Sequence, residues 1–547
     1  MIKKYILDLK REFSGYNGKK LSQDVMAGLT VAAVALPLAL AFGVSSGADA
    51  ASGLITAIIA GIFSGLLSGA SYQISGPTGA MSAILLPLAA KYGIQGVLIA
   101  GLLSGILLLI LAFLKIGKLV SYIPVPVIMG FTSGIAIIIA LGQIDNFFGT
   151  VSEGTSAIEK LLSYGRLGFH PNLWAAGFGA LAMLVMIVYP KKLSAYFPSS
   201  LAAIIAAVIL NFILNPNAAE STVTEVGSIP QNLMTSHSLI LTGIDFSKIK
   251  EFIMPAFSIA ALGMIESLLC GASAGKMKGE KLDSTRELLA QGIGNILIPL
   301  FGGVPSTAAI ARTSVVIKSG GQTRLAGVFH SVTLILSMFL LGGIMSRIPL
   351  SALAGVLMVT AFRMNDWSAM KRLFGNRLRY SIVQFVVTMA ATVIFDLTIA
   401  IVIGVVLAMM LFVLKNCDLK VALSDVDDNK LTDCEDGIHK NIKIVYLTGP
   451  LFFGTQEQLT NALAELKNLR GIIFSMRGVP NIDDSAIVEM RTLLRDFRSD
   501  GVEVLFCGVQ PKVMGALERA GFAQEVGADF FHWDAVSAIK RIDEQGK

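Results

Sequence analysis

Tyr72-Gln-Ile-Ser-Gly-Pro-Thr-Gly-Ala-Met-Ser82 and Phe301-Gly-Gly-Val-Pro-Ser-Thr-Ala-Ala-Ile-Ala-Arg312 are two versions of one pattern. Each has a Gly/Pro break, a few small residues and then an apolar helix of about a dozen residues. They are the third and tenth of fourteen apolar segments, the same position in two halves of seven. Interrupted segments at matching positions of two halves point to a transporter site built on inverted repeats. The first backbone N–H groups after Pro77 and Pro305 lack intrahelical acceptors. Two such positive helix ends meeting near the bilayer midplane make an anion site that needs no full charge. Thr78, Gly79, Ala80, Ser306, Thr307 and Ala308 are small enough to let an ion reach the backbone there. Either segment alone would also fit ordinary Gly and Pro usage in membrane helices; the matched pair favours a site.

Around these two stretches the chain is apolar. Its 547 residues are 54% hydrophobic and 15% charged, with a mean hydropathy of +0.69, whereas soluble domains carry about 25% charge. A spanning helix needs about 20 apolar residues. Clear candidates are 25–43, 52–69, 94–113, 124–143, 172–189, 199–214, 252–271, 325–343, 380–396 and 397–414. Segments 78–90, 288–302, 306–318 and 351–362 are short or interrupted. With the N-terminus inside, 22 Lys and Arg fall in inner loops and six outside: Lys91, Lys160, Arg166, Lys248, Lys250 and Arg347. The positive-inside rule therefore places both termini in the cytoplasm of a multi-pass protein of the cell inner (plasma) membrane.

Charge also divides the chain. Residues 1–415 hold 29 Lys and Arg against 17 Asp and Glu, whereas residues 416–547 hold 15 against 21. The basic residues sit in short loops between apolar runs, so they do not form a nucleic-acid footprint. Strand-like runs 441–448, 471–475 and 502–507 alternate with helix-like stretches 456–468, 485–499 and 512–520. That alternation predicts a small α/β domain with a partly parallel sheet. The predicted layout is a cytoplasmic segment over 1–23, a transmembrane domain over 24–415, a linker over 416–437 and the small domain over 438–547. The four cysteines have no CxxC and no metal spacing. Neither a metal nor a cofactor is expected, and with no nucleophile–base pair or Walker motif, nor is an enzyme.

Arg312 lies six residues beyond Ser306, about 9 Å further along if the stretch is one helix. It would raise the potential at an anion site without touching the ion, or else snorkel to the cytoplasmic interface. Glu266 is the acidic residue well inside an apolar helix; Asp396 falls at a segment end. A carboxylate there repels anions unless it is protonated or bound to a cation, which suits proton coupling; a structural hydrogen-bonding role is the alternative. His330, alone on an apolar helix, reads as a packed residue. In Leu36-Pro-Leu-Ala-Leu-Ala-Phe42, Pro37 is placed to kink or break the first helix, and Phe42 to line a cavity or pack the core.

Together, DVMAGLTVAAVALPLALAFG (24–43), ISGPTGAMS (74–82), LLAQGIGNILIPLFGGVP (288–305) and ARTSVVIKSGGQTRLAGV (311–328) resemble the SulP family, also called solute carrier family 26. The C-terminal domain resembles a STAS domain, and the likeness runs through nearly the whole chain in order. It implies an α-helical polytopic membrane protein with fourteen transmembrane segments as two inverted seven-segment repeats, divided into core and gate domains. It also implies a homodimer and an elevator-like motion of the core. The anion would sit between the third and tenth segments, at Phe42, Thr78, Gly79, Ala80, Ser306, Thr307 and Ala308, with Arg312 acting electrostatically and Glu266 in the eighth segment.

Two departures from the family pattern bear on substrate and coupling. Leu38 stands where many members have Gln after the first-helix proline, and LPLALAFG with SGPTGAM looks closer to the bicarbonate-transporting branch. Sodium-coupled members of that branch place Asp in the eighth segment with Thr one turn later. Here those positions are Glu266 and Cys270, a poor hydroxyl substitute for a hard cation. Proton coupling is therefore expected over sodium. Asp483-Asp484-Ser485-Ala486 falls where small STAS proteins carry a phosphorylatable serine; the alternative is a helix start capped by an Asp. The functional expectation is secondary active transport of a small, inorganic anion of the sulfate or bicarbonate class, by proton symport or exchange. The alternatives are a sodium-coupled bicarbonate or dicarboxylate transporter, a nucleobase permease, and a STAS-linked membrane sensor.

Overall fold

Backbone polar groups in lipid must be paired within the chain, so apolar runs of this length fold as helices. The computed structural model describes residues 2–154, 157–190, 193, 197–216, 221–227, 229, 232–234, 238–239, 249–395, 397–426, 439, 441–464, 466 and 468–545. Lys248, Asp396 and the linker from 427 onward lie outside the described residues. The chain divides into two compact units, Met1–Val406 and Leu407–Lys547.

The main helices of the first unit are α1 (Ile2–Glu12), α2 (Gly18–Ser45), α3 (Ala50–Ile59), α4 (Gly79–Phe113), α5 (Val125–Gly142), α6 (Leu173–Val188), α7 (Ser199–Leu214), α8 (Ile249–Lys278), α9 (Ser284–Leu300), α10 (Ile310–Lys318), α11 (Leu325–Met345), α12 (Leu350–Met364) and α13 (Arg379–Ile394). The boundary between the units falls within α14 (Leu397–Asn416). Among the described residues, seven helices are long and apolar enough to cross a membrane, and four shorter apolar helices accompany them. Each of the fourteen apolar stretches falls mainly on a helix, though the helix of 306–318 starts only at Ile310. The stretches 78–90 and 94–113 share α4, which breaks at Gly93, where φ is 69°, a conformation that suits glycine. Pro37 neither breaks nor ends its helix: α2 runs through it.

Helices α2, α3, α4, α8, α9, α10 and α11 pack on one another, and α5, α6, α7, α12 and α13 pack on one another. The two groups meet where α4 touches α5 and where α2 touches α7 and α12. Inside the first group the two broken stretches pair as short strands. β1 (Ser75–Gly76) runs antiparallel to β2 (Thr307–Ala308), with Ser75 opposite Ala308 and Gly76 opposite Thr307. Backbone leaves the helical ladder here and is tolerated because it is buried in protein.

The second unit contains a five-stranded sheet. β3 (Lys420–Asp425), β4 (Ile442–Thr448), β5 (Gly471–Gly478), β6 (Glu503–Cys507) and β7 (Phe531–His532) lie in sequence order, β3 antiparallel to β4 and the rest parallel. Ile472, Ile473, Phe474 and Met476 of β5 are all buried, as a parallel strand covered on both faces requires. Helices α15 (Gln456–Leu463), α16 (Asp484–Ser499), α17 (Pro511–Arg519) and α18 (Ala535–Gln545) supply the other elements of the alternation. The linker expected over 416–437 begins too early: Lys420–Asp425 is the edge strand of this sheet. Its alternation was hidden by the polar residues that an edge strand exposes.

Candidate functional site

Each broken stretch feeds a helix N-terminus. Thr78 caps α4, its side chain accepting from the Met81 N–H at 3.3 Å, which leaves Gly79 and Ala80 without intrahelical acceptors for their N–H groups. α10 begins at Ile310, and no side chain caps it. The β1–β2 pair joins the two helix starts side by side.

Glu266 of α8 joins the two stretches. The hydroxyls of Thr78 and Thr307 both donate to its Oε2, at 2.9 and 2.6 Å, and lie 3.4 Å from each other. Thr307 is fully buried, whereas Thr78 and Glu266 keep partial exposure. The expectation that Glu266 lacks a hydroxyl neighbour is therefore corrected: two hydroxyls reach it, from other segments. Cys270, one turn on, donates instead to Thr313 at 3.4 Å. The spacing of one helical turn does not reveal them, because the partners come from residues 188 and 41 positions away.

Arg312 is 1% exposed, so it does not snorkel to an interface. Its Nη2 donates to the Pro77 carbonyl at 3.0 Å, and its Nη1 meets no hydrogen-bond partner among the described residues. The spacing argument for Arg312 is also corrected. Thr307–Ala308 are extended and the helix starts only at Ile310, so Arg312 lies in the first turn of α10 rather than about 9 Å along a helix. Gly76 makes this reach possible: a Cβ there would stand 2.2 Å from Nη1.

The remaining predicted residues divide into those at the helix starts and one behind them. Gly79 lies under Phe42 and Ile139, whose atoms would stand 3.1 and 2.4 Å from a Cβ at that position. Ala80 and Ala308 are buried, and the Ala308 N–H donates to the Ser267 hydroxyl at 3.1 Å. Ser306 faces away from the helix ends, its N–H bound to Asn295 Oδ1 at 2.7 Å and its carbonyl to Asn295 Nδ2 at 3.0 Å. His330 is packed and fully buried, but among the described residues neither ring nitrogen meets a hydrogen-bond partner. In the second unit, Ser485 is exposed in the first turn of α16, and Asp483 caps that helix by accepting from Ala486 N–H at 2.8 Å.

The sequence reading missed a polar stripe on α9. Glu287, Gln291 and Asn295, at a spacing of four, are all fully buried; Gln291 and Asn295 hold the broken stretches and Glu287 the turn before the first of them. Glu287 accepts from the Ser68 hydroxyl and the Gly69 N–H at 2.7 and 3.0 Å, and Gln291 donates to the Ser75 hydroxyl at 2.7 Å. The four-residue spacing was the available signal. Ser267 and Asp24 were missed as well. Asp24 is buried at the head of α2 and accepts from the N–H groups of Gln322 and Thr323 at 2.6 and 3.0 Å.

A cavity of about 560 Å³ opens between the two helix groups. Ser82, Pro87, Lys91, Ile139, Lys160 and Ser258 are among its walls, so it reaches to within a turn of the α4 N-terminus. Two helix ends, a buried guanidinium and a carboxylate with two hydroxyls thus stand at one junction, where an anion and a cation could be held together.

The model of the sulfate permease family matches residues 21–391, and that of the STAS domain residues 435–533. YvdB of Bacillus subtilis (strain 168), provisionally named a sulfate transporter, is 32% identical over 96% of this chain and 99% of its own. The bicarbonate transporter BicA of Picosynechococcus sp. is 28% identical over 93% of each chain. Among solved structures, the transmembrane domain of a cyanobacterial bicarbonate transporter BicA covers 72% of this chain and 98% of its own, at 27% identity and a TM-score of 0.63. The murine Solute Carrier 26 family member A9 anion transporter, in the inward-facing state, shares the fold at 17% identity, covering 97% of this chain and 92% of its own with a TM-score of 0.81. Paired broken helices, a helical membrane unit and a C-terminal STAS domain lead to one assignment: the chain belongs to the sulfate permease family of anion transporters.

Proposed function

We propose that this protein is a secondary active transporter of a small inorganic anion of the sulfate or bicarbonate class, coupled to protons through Glu266. The observation that carries the reading is the joint hold of Thr78 and Thr307 on Glu266, between the starts of α4 and α10. An anion at the two helix ends gains from each dipole the equivalent of about half a positive charge. Arg312 adds a full charge from behind. A carboxylate beside that anion opposes it when ionised and tolerates it when protonated, so loading of proton and anion favour each other. The anion stands at Phe42, Thr78, Gly79, Ala80, Thr307 and Ala308, with Ser306 shaping the turn from Asn295.

All fourteen segments cross the membrane as two inverted repeats, with both termini cytoplasmic, and the protein works as a homodimer. Helices α2–α4 and α8–α11 form the moving core, α5–α7, α12 and α13 the gate, and the motion is elevator-like. The division of contacts between the two groups and the cavity between them support this. Ser485, exposed at the head of α16, is the place for regulatory phosphorylation. The two hydroxyls on one carboxylate oxygen favour a second reading, a sodium ion in place of the proton, since a hard cation prefers oxygen ligands.

Uptake of labelled sulfate and labelled bicarbonate into proteoliposomes tests the substrate. Saturable, gradient-driven accumulation of one of the two is the expected result. If neither moves under any imposed gradient, the substrate class is wrong, and dicarboxylates and nucleobases become the candidates.

A further inference from the structure

Helix α1 has two unlike faces. On one, Lys4, Asp8 and Glu12 follow each other at a spacing of four and meet Asp283, Arg286 and Arg324 at 2.6, 2.7 and 2.7 Å. Tyr5 adds to this face: Arg286 and Arg324 lie over its ring at 5.2 and 5.4 Å, and its hydroxyl donates to the Leu66 carbonyl at 2.9 Å. Asp283 and Arg286 mark the start of α9, and Arg324 precedes α11. This face is therefore fixed to the helix that carries the Glu287, Gln291 and Asn295 stripe.

The opposite face is of a different kind. Ile6 and Leu7 are 47% and 57% exposed, and Lys3 and Lys10 beside them are exposed as well. An 11-residue helix is about 16 Å long, too short to cross a bilayer. Directly after it, Lys19 is exposed, and the apolar surface resumes on α2 at Leu21, Val25, Met26 and Leu29. Because α2 is a membrane-crossing helix, its exposed apolar residues face lipid, and α1 adjoins the point where α2 enters the bilayer. A short helix with an apolar strip, flanking lysines and a place at that boundary has the build of an interfacial helix.

We propose that the outer face of α1 binds the anionic lipid headgroups of the leaflet on its side of the membrane, with Ile6 and Leu7 dipping below them and Lys3 and Lys10 in contact with them. Its inner face at the same time holds the start of α9, so lipid charge bears on the body that carries the broken segments. Lysines near a negatively charged leaflet are drawn to it within a Debye length, so the binding is sensitive to salt. The sidedness rests on the cytoplasmic N-terminus proposed above.

Amide hydrogen exchange of residues 2–12 in the full chain tests this in two kinds of vesicle, phosphatidylcholine alone and phosphatidylcholine with roughly 30% phosphatidylglycerol. Protection of α1 rises about tenfold in the anionic vesicles, falls back in about 0.5 M KCl, and loses its dependence on phosphatidylglycerol in the Lys3→Gln/Lys10→Gln variant. The Ile6→Ser/Leu7→Ser variant lowers protection in both vesicles. Equal protection in the two vesicles overturns the proposal. If that equal protection is lost in salt, the ion pairs of the inner face rather than lipid hold the helix. The readout needs no transport, so a wrong substrate assignment leaves it standing.

Discussion

Gly76 and Arg312 depend on each other. The guanidinium lies where a Cβ at residue 76 would stand, 2.2 Å from Nη1, and this approach lets Nη2 reach the Pro77 carbonyl. Gly76→Ala therefore pushes the charge off its place behind the helix ends. We expect anion uptake to fall at least tenfold, and the displaced, unpaired buried group to cost about 1–3 kcal/mol of stability. Uptake rates and thermal unfolding of the purified variant check both, and unchanged uptake would show that the charge acts from elsewhere. At this scale the sequence was readable for residue type and unreadable for partner. Glu266, Thr78, Thr307 and Arg312 all stood out in the sequence, since a charge in an apolar run and a small residue after a break are local signals. The hydroxyls on Glu266 and the carbonyl under Arg312 come from segments far away in the chain, and no local pattern encodes them.

The broken stretches hold their shape because α9 runs alongside them. Asn295 satisfies both the N–H and the carbonyl of Ser306, backbone groups that β2 and α10 leave without helical partners. Asn295→Ala strands both, and each buried unpaired group costs about 1–3 kcal/mol. The expected outcome is a lower unfolding midpoint, followed by fluorescence or calorimetry, with anion uptake reduced even below that midpoint. A midpoint equal to wild type would mean that the turn holds itself. The apolar runs forecast where the helices lie, because twenty apolar residues in lipid have few other options. The ends were harder to read. The second broken helix starts at Ile310 rather than after Pro305 because Thr307–Ala308 pair with β1, and the α9 stripe was hard to read because amides and a carboxylate in a short segment look like a helix end. Pro37 was expected to kink or break α2, which continues through it.

As a whole, the molecule joins a helical membrane unit to a STAS domain with its own sheet and its own apolar core. The residues that form the junction of β1, β2, Glu266 and Arg312 all lie in the first unit. Deleting residues 430–547 is therefore expected to leave saturable anion uptake within about threefold of the full chain per folded molecule, given the roughly additive behaviour of well-separated sites. Loss of uptake in a variant that still elutes as one folded species would make the STAS domain part of the transport machinery. The division into a basic, apolar part and an acidic, mixed part was visible in the charge count. The edge strand β3 was not, because its polar residues match those of a linker.

On the proposed function, Glu266 carries the coupling cation at the junction of the two broken helices. The most direct measurement is anion uptake into proteoliposomes under separately imposed proton and sodium gradients, for wild type and Glu266→Gln, with anion-for-anion exchange measured in parallel. Wild type is expected to accumulate anion under the proton gradient, and Glu266→Gln to lose this accumulation but keep exchange. Proton-driven accumulation that persists in Glu266→Gln would contradict it, and accumulation driven by sodium alone would give Glu266, Thr78 and Thr307 to a metal cation instead.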